Sequence, residues 1–187
     1  MKKRSSFWVI LAVVVVLLVL WLVGFYNGLV TKTQGIDNQW AQVETQYQRR
    51  FDLIPNLVNA TKGIFTQEQK VFGDLAEART RYAGATSVDE KAQAAGELES
   101  ALGRLLVIVE NYPELKSDQA VQQLMDDLAG TENRIAVERR RFNDLVKDYN
   151  TTIKRIPGNL LAPMMGFSER NYFEAAEGAE KAPEVNL

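Results

Sequence analysis

The sequence contains no cysteine and no histidine. These absences exclude Ser-His-Asp and Cys-His catalysis, and they exclude every metal site that is built on His or Cys ligands. Without cysteine there is no disulfide to indicate a redox compartment. The phosphate-binding patterns GxxxxGK followed by Ser or Thr, and GxGxxG, are also missing. The sequence therefore predicts a protein that is not an enzyme, with no metal site and no cofactor.

Proline and net charge are both scarce. The five prolines stand at 55, 113, 157, 163 and 183, and they leave long windows rich in Ala, Leu, Glu, Gln and Arg. That spacing is typical of an all-α domain. The net charge of −2 argues against a nucleic-acid partner, which phosphate contacts would require to be basic.

Residues 7–26 are present as one long apolar run, FWVILAVVVVLLVLWLVGFY, without a charged side chain. About twenty apolar residues in a helix cross a hydrocarbon core of ~30 Å. We therefore predict a transmembrane helix that contacts the lipid bilayer. A cleaved signal peptide is the alternative, but its apolar region is normally ~7–15 residues and ends in small side chains. The bulky Leu22, Val23 and Phe25 at the end of this run favour an uncleaved anchor.

The flanking charges predict the orientation of this span. Residues 1–6 form a basic flank with Lys2, Lys3 and Arg4, whereas Lys32 is the one basic residue within fifteen positions after the span. Lys and Arg accumulate on the cytoplasmic side. We expect a single-pass protein of the cell membrane with a cytoplasmic N-terminus and the remaining chain outside the cytoplasm.

The segment after the span predicts two helices, over about 27–53 and 56–83, from apolar residues spaced three and four apart. Between them, Asp52–Pro55 is either a tight reversal or a kink in one helix, because proline removes an interior hydrogen bond. One helix over 27–83 would be about 85 Å long at 1.5 Å per residue. We favour the reversal, because nothing later in the chain could pack along all of that length.

Two further helices are predicted over about 88–112 and 118–155. Ser87 and Glu90 have the spacing of a capping box at the start of the third helix. The fourth helix has a heptad seam, which is polar at Thr131 and Glu138. Its members are Val121, Leu124, Leu128, Thr131, Ile135, Glu138, Phe142, Leu145 and Tyr149. The fourth helix is longer than its partners, and the sequence leaves open which end overhangs.

The predicted architecture is all-α: one N-terminal transmembrane helix followed by an antiparallel, up-down-up-down four-helix bundle of long helices over 27–156. We expect Trp40, Phe72, Leu105 and Phe142 to be buried, one on each helix. Residues 157–173 are apolar and predicted to be irregular, and they pack on the base of the bundle or touch lipid headgroups. Residues 174–187 are Ala/Glu-rich and predicted to be disordered.

Two polar clusters are candidates for a polar network or a partner site. They contain Arg49, Arg50, Asp52, Asn56, Glu132, Asn133, Arg134 and Glu138. Charge runs usually form solvated helix faces. Glu138, however, falls on the seam, where a carboxylate is costly unless it is paired, so we expect an arginine from a facing helix beside it.

The two clusters are expected at one level of the bundle. Arg50 lies twenty-three residues after residue 27, and Asn133 lies twenty-three residues before residue 156. Because the first and fourth helices run antiparallel, Arg49, Arg50 and Asp52 should be level with Glu132 and Arg134. We predict one network of charges between these helices.

Several motifs together resemble the bacterial LemA family over about residues 20–175. They are YNGLV at 26–30, RRFDLIPNLV at 49–58 and ENRIAV at 132–137, followed by Tyr149-Asn150, Pro157, Asn159, Gly166-Phe167 and Tyr172-Phe173. The resemblance implies one membrane span, a helical bundle and no enzymatic activity. It also implies a link to membrane organisation and to a membrane metalloprotease of the HtpX type.

The functional expectation is a non-enzymatic, membrane-anchored scaffold or adaptor. Its helical bundle would bind another protein of the bacterial envelope, with an HtpX-type protease as a candidate, and the chain is also a candidate homo-oligomer. The alternative is a sensory bundle that binds a small ligand.

Overall fold

A computed structural model describes residues 2–61 and 69–173, with side chains described over 7–61, 70–115 and 117–173. The described residues are α-helical apart from short connections and the segment 165–173 that follows the last helix, which confirms the predicted class. The helices are α1 (Lys2–Thr61), α2 (Gln69–Gly84), α3 (Val88–Asn111), α4 (Pro113–Ser117), α5 (Gln119–Lys154) and α6 (Gly158–Met164). The predicted disordered tail, residues 174–187, lies outside the described residues.

Helix α1 carries the predicted span. In the described part of the chain it is the one helix long and apolar enough to cross a membrane. Every side chain from Phe7 to Trp21 is exposed to the surroundings. An apolar helix surface that contacts no other part of the protein is suited to lipid rather than water. Leu29 is the first buried residue among the described side chains of α1, and the ring of Tyr26, one turn earlier, already contacts Phe167.

The predicted reversal at Asp52–Pro55 is wrong, because α1 continues through Pro55 to Thr61. Phe51, Ile54 and Leu57 are all buried, so one apolar stripe passes the proline without interruption. The packing of that stripe offsets the backbone hydrogen bond that Pro55 cannot donate. Helix α2 begins at Gln69, and residues 62–68, part of the predicted second helix, lie outside the described residues.

The bounds of α3 and α5 lie within one residue of those predicted. The predicted capping box is confirmed: Ser87 Oγ accepts a hydrogen bond from the Glu90 amide, and the Glu90 carboxylate accepts one from the Ser87 amide. At the start of α5, Asp118 Oδ1 accepts hydrogen bonds from the amides of Ala120 and Val121. Helix α4, one and a half turns beginning at Pro113, was not predicted.

The described chain divides into two compact units. The first contains residues 2–38 and 145–170, and the second contains residues 39–144 and 171–173. Helices α1 and α5 contribute to both units, whereas α2 and α3 belong to the second. The predicted bundle over 27–156 is therefore shared between the two units.

The second unit is a packed arrangement of α2, α3 and parts of α1 and α5. Neighbouring helices run antiparallel: Asp74 on α2 pairs with Arg104 on α3, and Arg81 pairs with Glu97. Of the four predicted core residues, Leu105 and Phe142 are buried, but Trp40 and Phe72 are only partly so. On α2 the buried residues are Val71, Leu75, Ala78 and Tyr82, and Phe72 lies beside them.

The predicted seam of α5 is mostly buried, with one correction at Leu145. Leu145 is exposed and Val146 is fully buried, so the buried stripe takes Val146 in place of Leu145 and rejoins the predicted seam at Tyr149. The helix turns once per 3.6 residues, and a strict seven-residue repeat drifts from it over several turns. Beyond this point the stripe continues through Tyr149 and Ile153.

The first unit contains the membrane end of α1, the end of α5, and α6. Lys32 on α1 pairs with Asp148 on α5, and the rings of Tyr26 and Phe167 lie 5.6 Å apart. Residues 157–173 were predicted to be irregular, but α6 occupies Gly158–Met164. Gly158 permits this helix to begin close to α5, because a Cβ there would lie 2.2 Å from the carbonyl oxygen of Thr152.

Candidate functional site

Arg50 and Glu132 are brought together in the second unit. Arg50 Nη1 lies 2.5 Å from Glu132 Oε2, and the side chains are 7% and 45% exposed. The contact is an ion pair without the angles of a hydrogen bond, since Arg50 Nε and Nη1 have no hydrogen-bond partner in the described structure. Arg50 is thus a buried cation with one half-exposed carboxylate as its direct partner, and its charge also acts on Glu99, where it opposes the rise of the pKa that burial causes.

Arg49, Asp52 and Asn56 are placed elsewhere, on the exposed face of α1. The Asp52 carboxylate accepts a hydrogen bond of 2.9 Å from Gln48, one turn earlier on the same helix. Arg49 and Asn56 make no hydrogen bond or ion pair within the part of the chain that is described. Because residues three and four apart share a helix face, these side chains form a continuous exposed polar stripe.

On α5, Asn133 and Arg134 are also exposed, and they do not join Arg50 and Glu132. Glu138 is 17% exposed and sits between two partners. It accepts a hydrogen bond of 2.6 Å from Gln39 Nε2 of α1, and it pairs at 2.8 Å with Arg141 of its own helix. The prediction of an arginine from a facing helix is therefore wrong, because the side chain that faces Glu138 is the amide of Gln39.

A buried network that sequence reasoning missed joins three helices of the second unit. Arg139 Nη1 donates to Glu99 Oε1 at 2.9 Å, and the Tyr47 hydroxyl donates to the same oxygen at 3.4 Å. Burial raises the pKa of Glu99, and the positive charge of Arg139 opposes that shift only in part. Burial likewise raises the pKa of the Tyr47 hydroxyl, so this group remains a hydrogen-bond donor at neutral pH.

The same arginine holds the end of the described chain. The guanidinium carbon of Arg139 lies 4.2 Å from the centre of the Phe173 ring, a cation–π contact. The Asn143 side chain donates to the Phe173 carbonyl and accepts from the Phe173 amide, at 3.0 and 2.8 Å. Phe173 is buried against Trp40 and Tyr47 as a result.

The first unit has a comparable pair of hydrogen bonds between an asparagine side chain and the backbone. Asn150, which is buried, donates to the Arg170 carbonyl at 2.8 Å and accepts from the Arg170 amide at 3.0 Å. The Tyr149 hydroxyl donates to the Ser168 carbonyl at 2.8 Å. In each unit, an asparagine amide of α5 thus satisfies both backbone groups of a residue that follows α6. Tyr149-Asn150 belongs to the family-like motifs, but its sequence alone gave no indication of this role.

A surface groove of the second unit, between α1 and the end of α2, contains two unsatisfied polar atoms. Gln46 Oε1 and the Tyr82 hydroxyl are buried there and have no hydrogen-bond partner in the described structure. Lys91, which pairs with Glu44, lies over the Tyr82 ring at 5.7 Å from its centre. Both atoms lie beneath the surface of the groove, unpaired and closed to solvent.

These polar groups form charge pairs and hydrogen bonds rather than a reactive centre. In the residues the structure describes, no group of three or more Asp and Glu side chains could hold a metal ion. What the arrangement provides is a rigid interior beneath an exposed polar stripe.

Comparisons with known proteins find the LemA family, whose model matches residues 39–187. Magnetosome protein MamQ 2 of Paramagnetospirillum magneticum is 28% identical over 175 residues, which cover 80% of this chain and 64% of the relative. Magnetosome protein MamQ of Magnetospirillum gryphiswaldense is 28% identical over 174 residues, with 79% and 64% covered. The chain thus spans about two thirds of the length of the curated relatives that it matches.

Proposed function

Because this chain belongs to the LemA family and has one helix able to span a membrane, we propose that it is a membrane-anchored scaffold or adaptor. In this proposal the span contacts the bilayer, and the helical body binds another protein of the bacterial envelope. The protein carries out no reaction of its own. The absence of histidine and cysteine from the whole sequence supports that view.

The observation that carries the adaptor proposal is the exposed polar stripe of Arg49, Asp52 and Asn56. The stripe shares its sequence motif with Arg50, Phe51 and Ile54, which are buried and hold the second unit together. One motif therefore serves two surfaces of α1, one for folding and one with almost no partner in the described chain. Exposed charged side chains that fold stability does not require are suited to recognition.

The charge distribution around the span supports an orientation with the helical body outside the cytoplasm. Lys2, Lys3 and Arg4 precede the span, and Lys32 alone follows within fifteen residues. In this orientation the polar stripe meets proteins of the envelope. The sequence resemblance supplies a membrane protease of the HtpX type as one candidate, and a second copy of the chain is another.

Photo-crosslinking in intact membranes tests the adaptor role. A photoreactive amino acid replaces Arg49, Asp52 or Asn56, and the matched control carries it at Asp126, an exposed position on α5. We expect the three stripe positions to give the same protein adduct and Asp126 to give none. An adduct of twice the mass of the chain would identify a homo-oligomer as the partner. The proposal is wrong if the stripe gives no adduct, or if Asp126 gives the same adducts.

A sensory bundle that binds a small ligand is the second candidate, and the groove with Gln46 and Tyr82 favours it. A ligand that displaces the side chains over Gln46 Oε1 and donates a hydrogen bond to it would remove the cost of burying that atom unpaired. Native mass spectrometry of the full chain, released from detergent, tests this function. A bound molecule that is lost in the variant Tyr82→Phe would support it, whereas an unliganded mass in both chains would favour the adaptor.

A further inference from the structure

An exposed apolar stripe lies on α6 and on the turn that precedes it. Ile156, Leu160 and Met164 are 83%, 65% and 84% exposed, and they follow one another at intervals of four residues. This spacing places Leu160 and Met164 on one face of the helix. The other face carries Gly158 and Ala162, which are buried. Helix α6 thus has one buried face and one exposed apolar face, which is turned away from the rest of the first unit.

Two contacts within the first unit place α6 at the membrane end of α1. The first is the ring contact between Phe167, three residues after α6, and Tyr26, the last residue of the span. The second is the ion pair between Lys32 and Asp148. Lys32 lies six positions after Tyr26, and Lys154 lies six positions after Asp148. Because the two helices run antiparallel here, Lys154 lies about level with Tyr26, and α6 follows directly.

We propose that α6 is an interfacial helix whose apolar stripe enters the leaflet that receives the C-terminal end of the span. The lipid surface is the occupant because the stripe adjoins the residues that leave the hydrocarbon core. Helices of this kind bury their apolar face ~5–10 Å into the boundary between headgroups and acyl chains. The inference rests on the membrane span and not on the adaptor role.

The charges beside the stripe fit the same position. Arg155 is exposed next to Ile156, and the exposed Lys154 pairs with Glu169 at 2.8 Å. Basic side chains at this level reach phosphate groups of the lipid, while the apolar side chains of the stripe lie deeper in the membrane. The aromatic pair of Tyr26 and Phe167 is also typical of the interface between hydrocarbon and water.

A fluorescent label tests this position directly, because the natural chain has no cysteine that would compete for it. The full chain with Leu160→Cys is labelled with an environment-sensitive maleimide and reconstituted into phosphatidylcholine vesicles, with and without brominated acyl chains. Met164→Cys provides a second reporter on the same stripe. Val15→Cys, in the span, is the lipid-exposed control, and Lys147→Cys, exposed on α5, is the aqueous control.

We expect emission from positions 160 and 164 to be shifted to the blue and to lose intensity with brominated lipid, as at position 15. Position 147 should show neither effect. A blue shift at 160 and 164 without quenching would mean that protein, such as a second copy, covers the stripe, and would overturn the proposal. Emission like that of position 147 would also overturn it, because the stripe would then face water.

Discussion

At the scale of single residues, the ion pair of Arg50 and Glu132 places a buried cation beside a half-exposed carboxylate. Arg50 is almost fully buried and has unsatisfied nitrogen atoms, and Glu132 is its one ion-pair partner among the described residues. Counting residues along two antiparallel helices placed Arg50 near Glu132 from sequence alone. The same counting could not place Arg49 or Asp52, because one step around a helix turns a side chain by about 100°.

Removal of Glu132 should destabilise the protein more than removal of an exposed partner. Glu132→Ala leaves a buried cation unpaired, and we expect a loss of about 2 kcal/mol, against ~0–1 kcal/mol for a surface pair. Thermal melts of the full chain in detergent measure it, and a double-mutant cycle with Arg50→Ala isolates the coupling. Glu77→Ala, which removes a partner of the exposed Arg81, is the control and should lower the melting temperature less. Zero coupling between residues 50 and 132 would contradict this account.

Glu99 should make stability depend on pH. Burial raises its pKa above the ordinary value of 4.5, so folding disfavours the ionised form. Below that ordinary value both states are protonated, and the group has no effect. As the pH rises from 4.5 through the higher pKa of the folded state, Glu99 ionises more readily in the unfolded chain and stability decreases.

The variant Glu99→Gln does not titrate, so it isolates this effect. Relative to the variant, the natural chain should lose melting temperature as the pH rises from 4.5 through the higher pKa of the folded state. Differential scanning measurements across this range provide the comparison. If the natural chain instead gains on the variant as the pH rises, then the attraction of Arg139 outweighs burial.

At the scale of helices, the sequence predicts what depends on local chemistry. The capping box at Ser87 and the bounds of α3 and α5 follow from neighbours in sequence. The continuity of α1 could not be predicted in this way. Pro55 costs a hydrogen bond locally, and only the packing of Phe51, Ile54 and Leu57 determines that the helix continues.

The hydrogen bonds from Asn143 and Asn150 to the backbone could not be predicted from the sequence for a related reason. Each asparagine side chain bonds a backbone residue twenty or thirty positions away, and the pattern of apolar residues carries no information on that pairing. The network of Tyr47, Glu99 and Arg139 is similar. Arg139 lies in a run of three arginines, and the composition of such a run favours an exposed face.

The buried stripe of α5 gives a prediction with a neighbouring control. Phe142 is buried and Leu145, three residues later, is exposed, although both belong to the predicted seam. Phe142→Ala should cost about 3–5 kcal/mol, because it leaves a cavity in the second unit. Leu145→Ala should change the free energy of unfolding by much less. Thermal or denaturant melts of the full chain compare the two, and equal losses would contradict the replacement of Leu145 by Val146 in the buried stripe.

At the scale of the whole molecule, the exposed surfaces differ in chemistry from one unit to the other. The first unit carries the apolar span and the stripe of α6, both suited to lipid. The second carries the exposed polar stripe of Arg49, Asp52 and Asn56, which we propose as the surface for a protein partner. The family assignment is consistent with a membrane protein, and the adaptor role requires in addition that the polar stripe lies on the envelope side.

The adaptor role therefore requires the helical body to lie outside the cytoplasm, and labelling of single cysteines tests that position. Arg140→Cys places a thiol on the exposed surface of the second unit, and Ser5→Cys places one before the span. Each variant is exposed to a membrane-impermeant maleimide in spheroplasts and after lysis. The account predicts that Cys at position 140 reacts in intact spheroplasts and that Cys at position 5 reacts only after lysis. The opposite pattern would place the body in the cytoplasm and contradict the proposed envelope adaptor.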